Sequence, residues 1–307
     1  MVGVPDEYFL GNHIFNSKLL FGIASALRCN WNRMGIFNQL YLSYFHTVSF
    51  FICPFSKGVS QFMIPKIIHY CWFGGKPLPL LAQKCIKSWK KYCPDYELKL
   101  WNEKSFDIHC NDYVKEAYEA KKYAFITDYV RLWAIYTYGG IYMDTDVEVL
   151  KPLDCFLHHP AFSGFESEKA VPTGIMASEK GGKWAERELK YYKDTHFRNA
   201  DGSLNLTTNV EIITNNLVRD GFVLNNCYQE HKGIIVMYPN EYFCPKQPGS
   251  LKIDFTENTY TIHHFDGSWK PLEQQLKKKL VLIIQKYAPW VLPAIIALKR
   301  TCLGLVK

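Results

Sequence analysis

The sequence predicts an α/β protein with a mainly parallel central sheet and helices on both of its faces. Strand-like apolar runs alternate with helical segments from Ile64 onward, and glycines and prolines separate them. The 307-residue chain is 48% hydrophobic and 16% aromatic, as expected of a folded protein. Strands that alternate with helices indicate a parallel sheet covered by helices. Ligands of such sheets bind at the carboxyl ends of the strands.

The first predicted strand, residues 67–73, is a continuous apolar run of the kind that parallel sheets bury. A Gly-Gly-Lys-Pro turn follows, and then a helix over about 80–92. Residues 96–101 alternate as a second strand. One or two helices are expected over about 112–138, ending at Gly139-Gly140, a typical C-terminal stop. Further strands are predicted at 161–165, 174–177, 234–237 and 260–263, and further helices near 182–193 and 208–219.

The segment after the glycine pair, Gly-Gly-Ile-Tyr-Met-Asp-Thr-Asp, is a short apolar strand that ends in Asp144 and Asp146. Because side chains alternate along a strand, both carboxylates are expected on one face. Two adjacent carboxylates repel each other unless a cation lies between them, and Mg²⁺ and Mn²⁺ favour oxygen ligands. Taken alone, the segment could equally be a strand that runs into a solvated acidic turn.

The helix before the glycines places Asp128 and Arg131 three residues apart on one face. An exposed ion pair of this kind contributes roughly a few tenths of a kcal/mol. The neighbouring residues are largely apolar, so we expect the pair to be partly buried. Buried polar groups need hydrogen-bonding partners, and a polyhydroxylated or phosphorylated ligand could supply them.

Residues 262–269 read Ile-His-His-Phe-Asp-Gly-Ser-Trp and contain the adjacent pair His263 and His264. Such a pair can supply metal ligands, although a loop histidine that is hydrogen-bonded within the protein is the commoner case. Trp72, directly after the first strand, is by itself more typical of a core residue than of a ligand platform.

In sequence order, these features resemble the DXD glycosyltransferases, and above all glycosyltransferase family 32. That family includes yeast initiating mannosyltransferases and bacterial capsule and exopolysaccharide enzymes; a more distant similarity is to the glucosylating domains of clostridial toxins. The resemblance spans about residues 64–269. It rests on Trp72, Ala-x-x-x-Asp-x-x-Arg at 124–131, Gly-Gly-Ile-Tyr-x-Asp-x-Asp at 139–146 and His-His-Phe-x-Gly-Ser-Trp at 263–269.

The resemblance implies a GT-A fold and a nucleotide-sugar donor, with a UDP-sugar favoured and a GDP-sugar as the alternative. It implies that Trp72 stacks on the donor base. Asp128 and Arg131 would bind hydroxyls of the ribose and the transferred sugar. Ser268 and Trp269 would close over the diphosphate.

The resemblance also implies a Mn²⁺ or Mg²⁺ ion, with Asp146 as its ligand and Asp144 contacting the sugar or ribose directly or through water. His264 is expected to be the second protein ligand, with His263 as the alternate. A bound metal would stabilise charge on the leaving diphosphate. The family implies retention at the anomeric carbon, and we expect front-face attack by the acceptor because no further carboxylate stands out as a nucleophile.

Two other functions fit part of the sequence. An apolar strand followed by Asp-x-Asp is similar to the first motif of haloacid-dehalogenase phosphatases, in which Asp144 would be the nucleophile. That motif normally lies on the first strand, whereas at least two predicted strands precede it here. The other alternative is a non-catalytic sugar-binding protein of the same fold, which the presence of both aspartates, the histidines and Trp269 disfavours.

The sequence divides into an N-terminal extension (1–62), a catalytic domain (63–269) and a basic amphipathic tail (270–307). The extension could be a poorly ordered segment or contain a membrane span near Ile36, and Met63 could be a natural start. The tail holds eight Lys and Arg residues and one Glu, which accounts for the whole net charge of +7. This local charge argues against nucleic acid as a partner and favours an anionic membrane surface.

The expected acceptor is a glycan or a lipid-linked oligosaccharide of surface polysaccharide biosynthesis. The ten cysteines lack metal-site spacing and there is no convincing secretory signal, so we expect reduced thiols. The expected location is the cytoplasm, with peripheral contact to the inner face of the plasma membrane.

Overall fold

The computed structural model describes residues 63–171, 174–268, 272–288 and 290–291. The expectations for residues 1–62, for Trp269 and for the end of the tail lie outside these residues. The elements in chain order are β1 Ile67–Cys71, α1 Leu80–Tyr92, β2 Glu97–Trp101, α2 Asp112–Glu119, α3 Tyr123–Tyr138, β3 Gly140–Met143, β4 Val147–Val149, a 3₁₀ turn Asp154–Phe156, β5 Ala161–Gly164, β6 Ile175–Ser178, α4 Lys183–Leu189 with a 3₁₀ turn Lys190–Tyr192, α5 Asn209–Arg219, β7 Gln229–His231, β8 Ile235–Tyr238, α6 Asn240–Phe243, β9 Thr261–His263 and α7 Leu272–Tyr287.

A seven-stranded sheet with the order β2-β1-β3-β6-β5-β8-β7 forms the centre of the fold. β1 runs parallel to β2 and β3, and β5 runs parallel to β8. β6 and β7 pair antiparallel with their neighbours, so five of the seven strands point the same way. The predicted α/β class with a mainly parallel sheet is confirmed. The reversal at β6 follows from its short connection to β5, which leaves no room for a crossover helix.

Helices cover both faces of this sheet, because its strands carry apolar side chains on both faces, as β3 illustrates. Tyr142 points to one face, where it belongs to a core shared with Ile126 and Val130 of α3. Ile141 and Met143 point to the other, where the core includes Trp89 of α1. Alternation along a strand requires this division. Every residue of β3 is buried, as expected for a central strand.

The connection from α3 to β3 depends on the predicted glycine pair. Gly139 and Gly140 have φ values of +71° and +116°, and a Cβ atom on Gly140 would lie 2.7 Å from the Ile67 carbonyl oxygen. His69 of β1 is fully buried, with its Nε2 2.8 Å from the Gly139 carbonyl. Burial lowers the pKa of His69 to about 4, so at neutral pH its Nε2–H donates to Gly139 while Nδ1 accepts from Trp101.

The observed elements differ from the sequence prediction mainly where they are short. The first strand ends at Cys71 instead of at residue 73, whereas the region over 112–138 agrees with the expectation of one or two helices, because it forms two. β4, β7 and α6 were not predicted, since three or four residues are too few to show a period. Six described cysteines are free, but Cys227 takes part in a disulfide bond, so the expectation of reduced thiols is wrong there. Within the described residues, no helix is long and apolar enough to cross a membrane.

Candidate active site

Asp144 and Asp146 lie in a tight turn that joins β3 to the separate two-stranded sheet β4–β9. The Val147 N–H donates to the Asp144 carbonyl over 3.0 Å. The sequence had suggested that strand alternation places both carboxylates on one face. This prediction is wrong, because the two residues lie in a turn and not in a strand. They converge because the turn bends them toward His263, whose Nε2 lies 3.4 Å from Asp146 Oδ1 and 4.0 Å from Asp144 Oδ2.

The histidine beside the aspartates is His263, which the sequence motifs had indicated only as the alternate to His264. β9 pairs antiparallel with β4, and Val147 stands opposite His263 in the register. His264 points elsewhere: its Nε2 is 2.9 Å from Glu148 Oε2, which also binds Lys84 Nζ at 2.9 Å. Neighbouring strand residues face opposite sides, so only one of the two histidines can reach the aspartates.

The loop after β9 holds this arrangement together. Phe265 has a left-handed φ of 54°, and its ring stacks on the His263 imidazole with centroids 4.1 Å apart. The following Asp266 N–H donates to Asp146 Oδ2 over 2.6 Å. Burial alone would raise the pKa of Asp146, but His263 and the Asp266 amide lower it to about 2. Burial alone would lower the pKa of His263, but the aspartates raise it well above its ordinary value.

Arg131 and Tyr142 fix the orientation of Asp144. The Asp144 Oδ1 atom accepts from Tyr142 Oη at 2.8 Å and from Arg131 Nη2 at 3.2 Å. The guanidinium carbon of Arg131 also lies 4.8 Å from the centroid of the Tyr142 ring. Both partners engage the same oxygen, so the second oxygen, Oδ2, is the one directed at His263.

Asp128 is 9% exposed and lies behind Arg131, 3.5 Å from its Nη2 atom. Its Oδ2 accepts from the backbone N–H of Asn209 at 3.2 Å, at the N-terminus of α5. Burial raises the pKa of Asp128 to about 6, although Arg131 and Asn209 oppose this shift. The Asp128–Arg131 pair is therefore buried, as predicted. Groups of the protein itself supply hydrogen bonds that the sequence analysis had expected from a ligand.

Trp72 and Ser268 are the other two described residues that were predicted to bind the nucleotide-sugar donor. Trp72 is half-buried at the carboxyl end of β1, which lies on the same sheet edge as Asp144 because β1 and β3 run parallel. Its indole N–H donates to the Lys76 carbonyl. Ser268 is exposed, and its carbonyl accepts from Gln275 Nε2 at 3.1 Å. The roles assigned to Trp72 and Ser268 stay predictions.

Asp144, Asp146 and His263 offer three donor atoms that all lie within 4.8 Å of one another. Ligands about 2.1 Å from a shared octahedral ion are roughly 3 to 4 Å apart, so small rotations of the side chains would allow a common cation. Carboxylate oxygens and a neutral imidazole nitrogen are both ordinary ligands of divalent cations. The donor set therefore fits a divalent cation.

Three residues of the site were not identified from the sequence. Tyr142 had a usable signal, because it lies two positions before Asp144, at the spacing expected for one strand face. Asn209 and Phe265 had none. Their contacts with Asp128 and His263 arise from the packing of α5 and from the loop after β9, which local patterns do not reveal.

Residues 79–163 match a family model described as a glycosyltransferase sugar-binding region containing a DXD motif. The matched segment includes Asp128, Arg131, Asp144 and Asp146. This part of the chain is similar to the sugar-binding region of the DXD glycosyltransferases. This DXD region confirms the resemblance to glycosyltransferase family 32 that the sequence motifs indicated. His263 lies outside the matched segment and joins the aspartates only in the folded structure.

The chain is also similar to parts of two curated yeast proteins. The chain is 34% identical over 122 residues to inositol phosphoceramide mannosyltransferase 3 of Schizosaccharomyces pombe, which covers 38% of this chain and 34% of that protein. It is 31% identical over 133 residues to mannosyl phosphorylinositol ceramide synthase SUR1 of Saccharomyces cerevisiae, covering 38% and 31%. The chain thus aligns with about a third of each relative.

Among solved structures, the chain is similar to PaToxG glycosyltransferase, with a TM-score of 0.41 and 20% sequence identity. This similarity covers 52% of the present chain and 69% of that one.

Proposed function

We propose that this chain is a metal-dependent glycosyltransferase that moves a hexose-type sugar from a nucleotide-sugar donor to a glycan or lipid-linked glycan. The observation that carries the proposal is the convergence of Asp144, Asp146 and His263 at the carboxyl end of β3, within and beside the DXD region. Carboxyl ends of parallel strands are where such folds bind ligands. The names of the yeast relatives make mannose the first sugar to test.

In this mechanism Asp144, Asp146 and His263 would hold Mn²⁺, which when bound would neutralise charge on the diphosphate leaving group. Arg131 and Tyr142 orient Asp144 before the donor arrives, so that its free oxygen is already directed to the metal-binding side. Such preorganisation avoids rearrangement during the reaction. Retention at the anomeric carbon, with front-face attack by the acceptor, is part of the same proposal.

The proposed acceptor follows from the names of the yeast relatives. The yeast relatives are named for mannosyl transfer to inositol phosphoceramide, which is a lipid, and this supports a lipid-linked acceptor. A role in surface polysaccharide synthesis and a cytoplasmic location belong to the same proposal, whereas an anionic membrane surface as partner of the tail is a separate proposal. The phosphatase alternative is disfavoured, since the region around Asp144 matches the DXD family model.

The test is a thermal-shift series with UDP-sugars and GDP-mannose, with and without Mn²⁺, on the wild type and on His263→Ala and His264→Ala. A ligand at one hundred times its Kd stabilises the folded state by about 2.7 kcal/mol. We expect a Mn²⁺-dependent shift in the wild type and in His264→Ala, and its loss in His263→Ala. Each variant is compared with its own Tm without ligand, so that a change in intrinsic stability does not affect the result.

A shift that disappears in His264→Ala and persists in His263→Ala would reverse the assignment of the metal ligand. If phosphomonoesters stabilised the protein and no nucleotide sugar did, the result would favour the phosphatase hypothesis over the glycosyltransferase.

A further inference from the structure

Helix α7 presents an apolar stripe to solvent. Leu276, Leu280, Ile283 and Tyr287 are spaced by four, three and four residues, which places them in one line along the helix. Their exposed fractions are 56%, 58%, 54% and 68%. Single exposed apolar residues are ordinary, but a contiguous line of four on one helix marks an interaction surface.

The opposite side of α7 is attached to the loop that bounds the candidate active site. Gln275 donates to the Ser268 carbonyl over 3.1 Å. Lys278 Nζ donates to the carbonyls of Phe265 and Asp266, the latter over 2.9 Å. Asp266 in turn donates its N–H to Asp146. The helix therefore has an inner face fixed to the loop after β9 and an outer face that is apolar.

Positive charge flanks the apolar stripe. Lys279 and Lys286 lie along one border and Lys277 along the other, and all three are exposed. The only acidic residue of the helix, Glu273, is already 2.5 Å from Lys277. An apolar line bordered by lysines is the pattern of a helix that lies in a membrane interface, where the lysines reach the lipid phosphates.

The segment after α7 also exposes apolar side chains. Trp290 is 75% exposed and Val291 is 37% exposed. Tryptophan is enriched at the level of lipid headgroups because its ring is apolar and its N–H is polar. A second copy of the chain would bring the same lysines together and be opposed by repulsion, whereas an anionic bilayer complements them.

We propose that α7 lies in the surface of an anionic lipid bilayer, with the Leu276–Tyr287 stripe in the headgroup–acyl boundary. Because Lys278 ties the helix to the Phe265–Asp266 loop, this orientation holds the active site close to the membrane surface. The acceptor would then be presented at the bilayer rather than captured from solution. This last step rests on the proposed function, whereas membrane binding by α7 does not.

The experiment is co-sedimentation of the full chain with vesicles of phosphatidylcholine alone and of phosphatidylcholine with phosphatidylglycerol. The test variant is Leu280→Glu with Ile283→Glu, two exposed positions at which a carboxylate should not disturb folding. Phe255→Glu is the matched control, since Phe255 is 60% exposed and lies outside α7. A second test variant, Lys279→Glu with Lys286→Glu, removes positive charge from the border of the stripe.

We expect the wild type and Phe255→Glu to bind the anionic vesicles, and both double variants to bind at least tenfold more weakly. Equal sedimentation of the Leu280→Glu/Ile283→Glu variant and the wild type would overturn the proposal. The proposal would also be overturned if the wild type did not sediment with the vesicles and instead formed a dimer that the Leu280→Glu/Ile283→Glu variant dissociates. The Mn²⁺-dependent donor shift is measured on the same samples: its retention with loss of vesicle binding supports a separate membrane surface, and its absence from every sample counts against the proposed function alone.

Discussion

At the scale of single residues, the two oxygens of Asp144 have different surroundings. Oδ1 receives Tyr142 Oη and Arg131 Nη2, while Oδ2 is directed at His263. The Tyr142 hydroxyl is fully buried, and burial raises its pKa well above the ordinary value, so it remains a neutral donor at physiological pH. A carboxylate held in this way cannot turn its occupied oxygen toward a ligand.

Tyr142→Phe should weaken Mn²⁺-dependent donor binding about tenfold, because a hydrogen bond to a charged group contributes about 1.5 to 3 kcal/mol. Isothermal titration with the donor that the thermal-shift series identifies measures the change. Tyr113→Phe is the matched control, since the Tyr113 hydroxyl is buried and has no hydrogen-bond partner. An unchanged donor affinity in Tyr142→Phe would show that Arg131 alone is sufficient to orient Asp144.

At the scale of elements, the connection between α3 and β3 leaves no room for a side chain at Gly139. A Cβ atom on Gly139 would lie 2.7 Å from Pro65 Cδ and 2.8 Å from the Lys180 backbone nitrogen. Neither neighbour is the free end of a flexible side chain. Since β3 leads directly to Asp144, a shift of this connection would also displace the aspartates.

Gly139→Ala should lower the free energy of unfolding by about 3 kcal/mol, which combines an unfavourable backbone conformation with a clash. Gly181→Ala is the matched control: its φ of +69° is nearly the same as that of Gly139, but a Cβ atom there would meet nothing within 4 Å. The control should lose only about 1 kcal/mol. Equal losses in urea denaturation would mean that the close approach to Pro65 is relieved at little cost.

The elements also show what the sequence can and cannot predict. Long segments with a clear apolar period, such as the helix at 80–92 and the strands around Ile68 and Ile141, were predicted closely. The bend at Asp144 and the pairing of β4 with β9 were not, because they depend on contacts between distant segments. The choice between His263 and His264 required the register of that pairing, so a motif containing both histidines was insufficient.

At the scale of the whole molecule, one buried polar residue connects several parts of the sheet. His69 lies in β1, accepts from Trp101 of β2 and donates to the Gly139 carbonyl before β3. Its burial lowers the pKa to about 4, against an ordinary value of about 6.5 in an unfolded chain. Between these values the unfolded chain binds a proton that the folded protein does not.

The stability that His69 contributes is therefore complete above about pH 6.5 and is lost progressively as the pH falls toward 4. At pH 5 the loss from this residue should be about 2 kcal/mol. Urea denaturation at pH 7 and pH 5 measures it, and His69→Gln should be less stable at pH 7 but lose less on acidification. His109→Gln, at an exposed histidine, should follow the wild type. Parallel losses in wild type and His69→Gln would exclude His69 as the cause.

The pairing of β4 with β9 has a consequence for the order in which the protein acquires its site during synthesis. Glu148 and its partner His264 are 116 positions apart in the chain, and Asp146 and Asp266 are 120 apart. Both aspartates leave the ribosome long before His263, and such distant contacts form late in folding. A fragment that ends with the matched region at residue 163 therefore contains the whole DXD motif but lacks the third donor atom of the candidate metal centre.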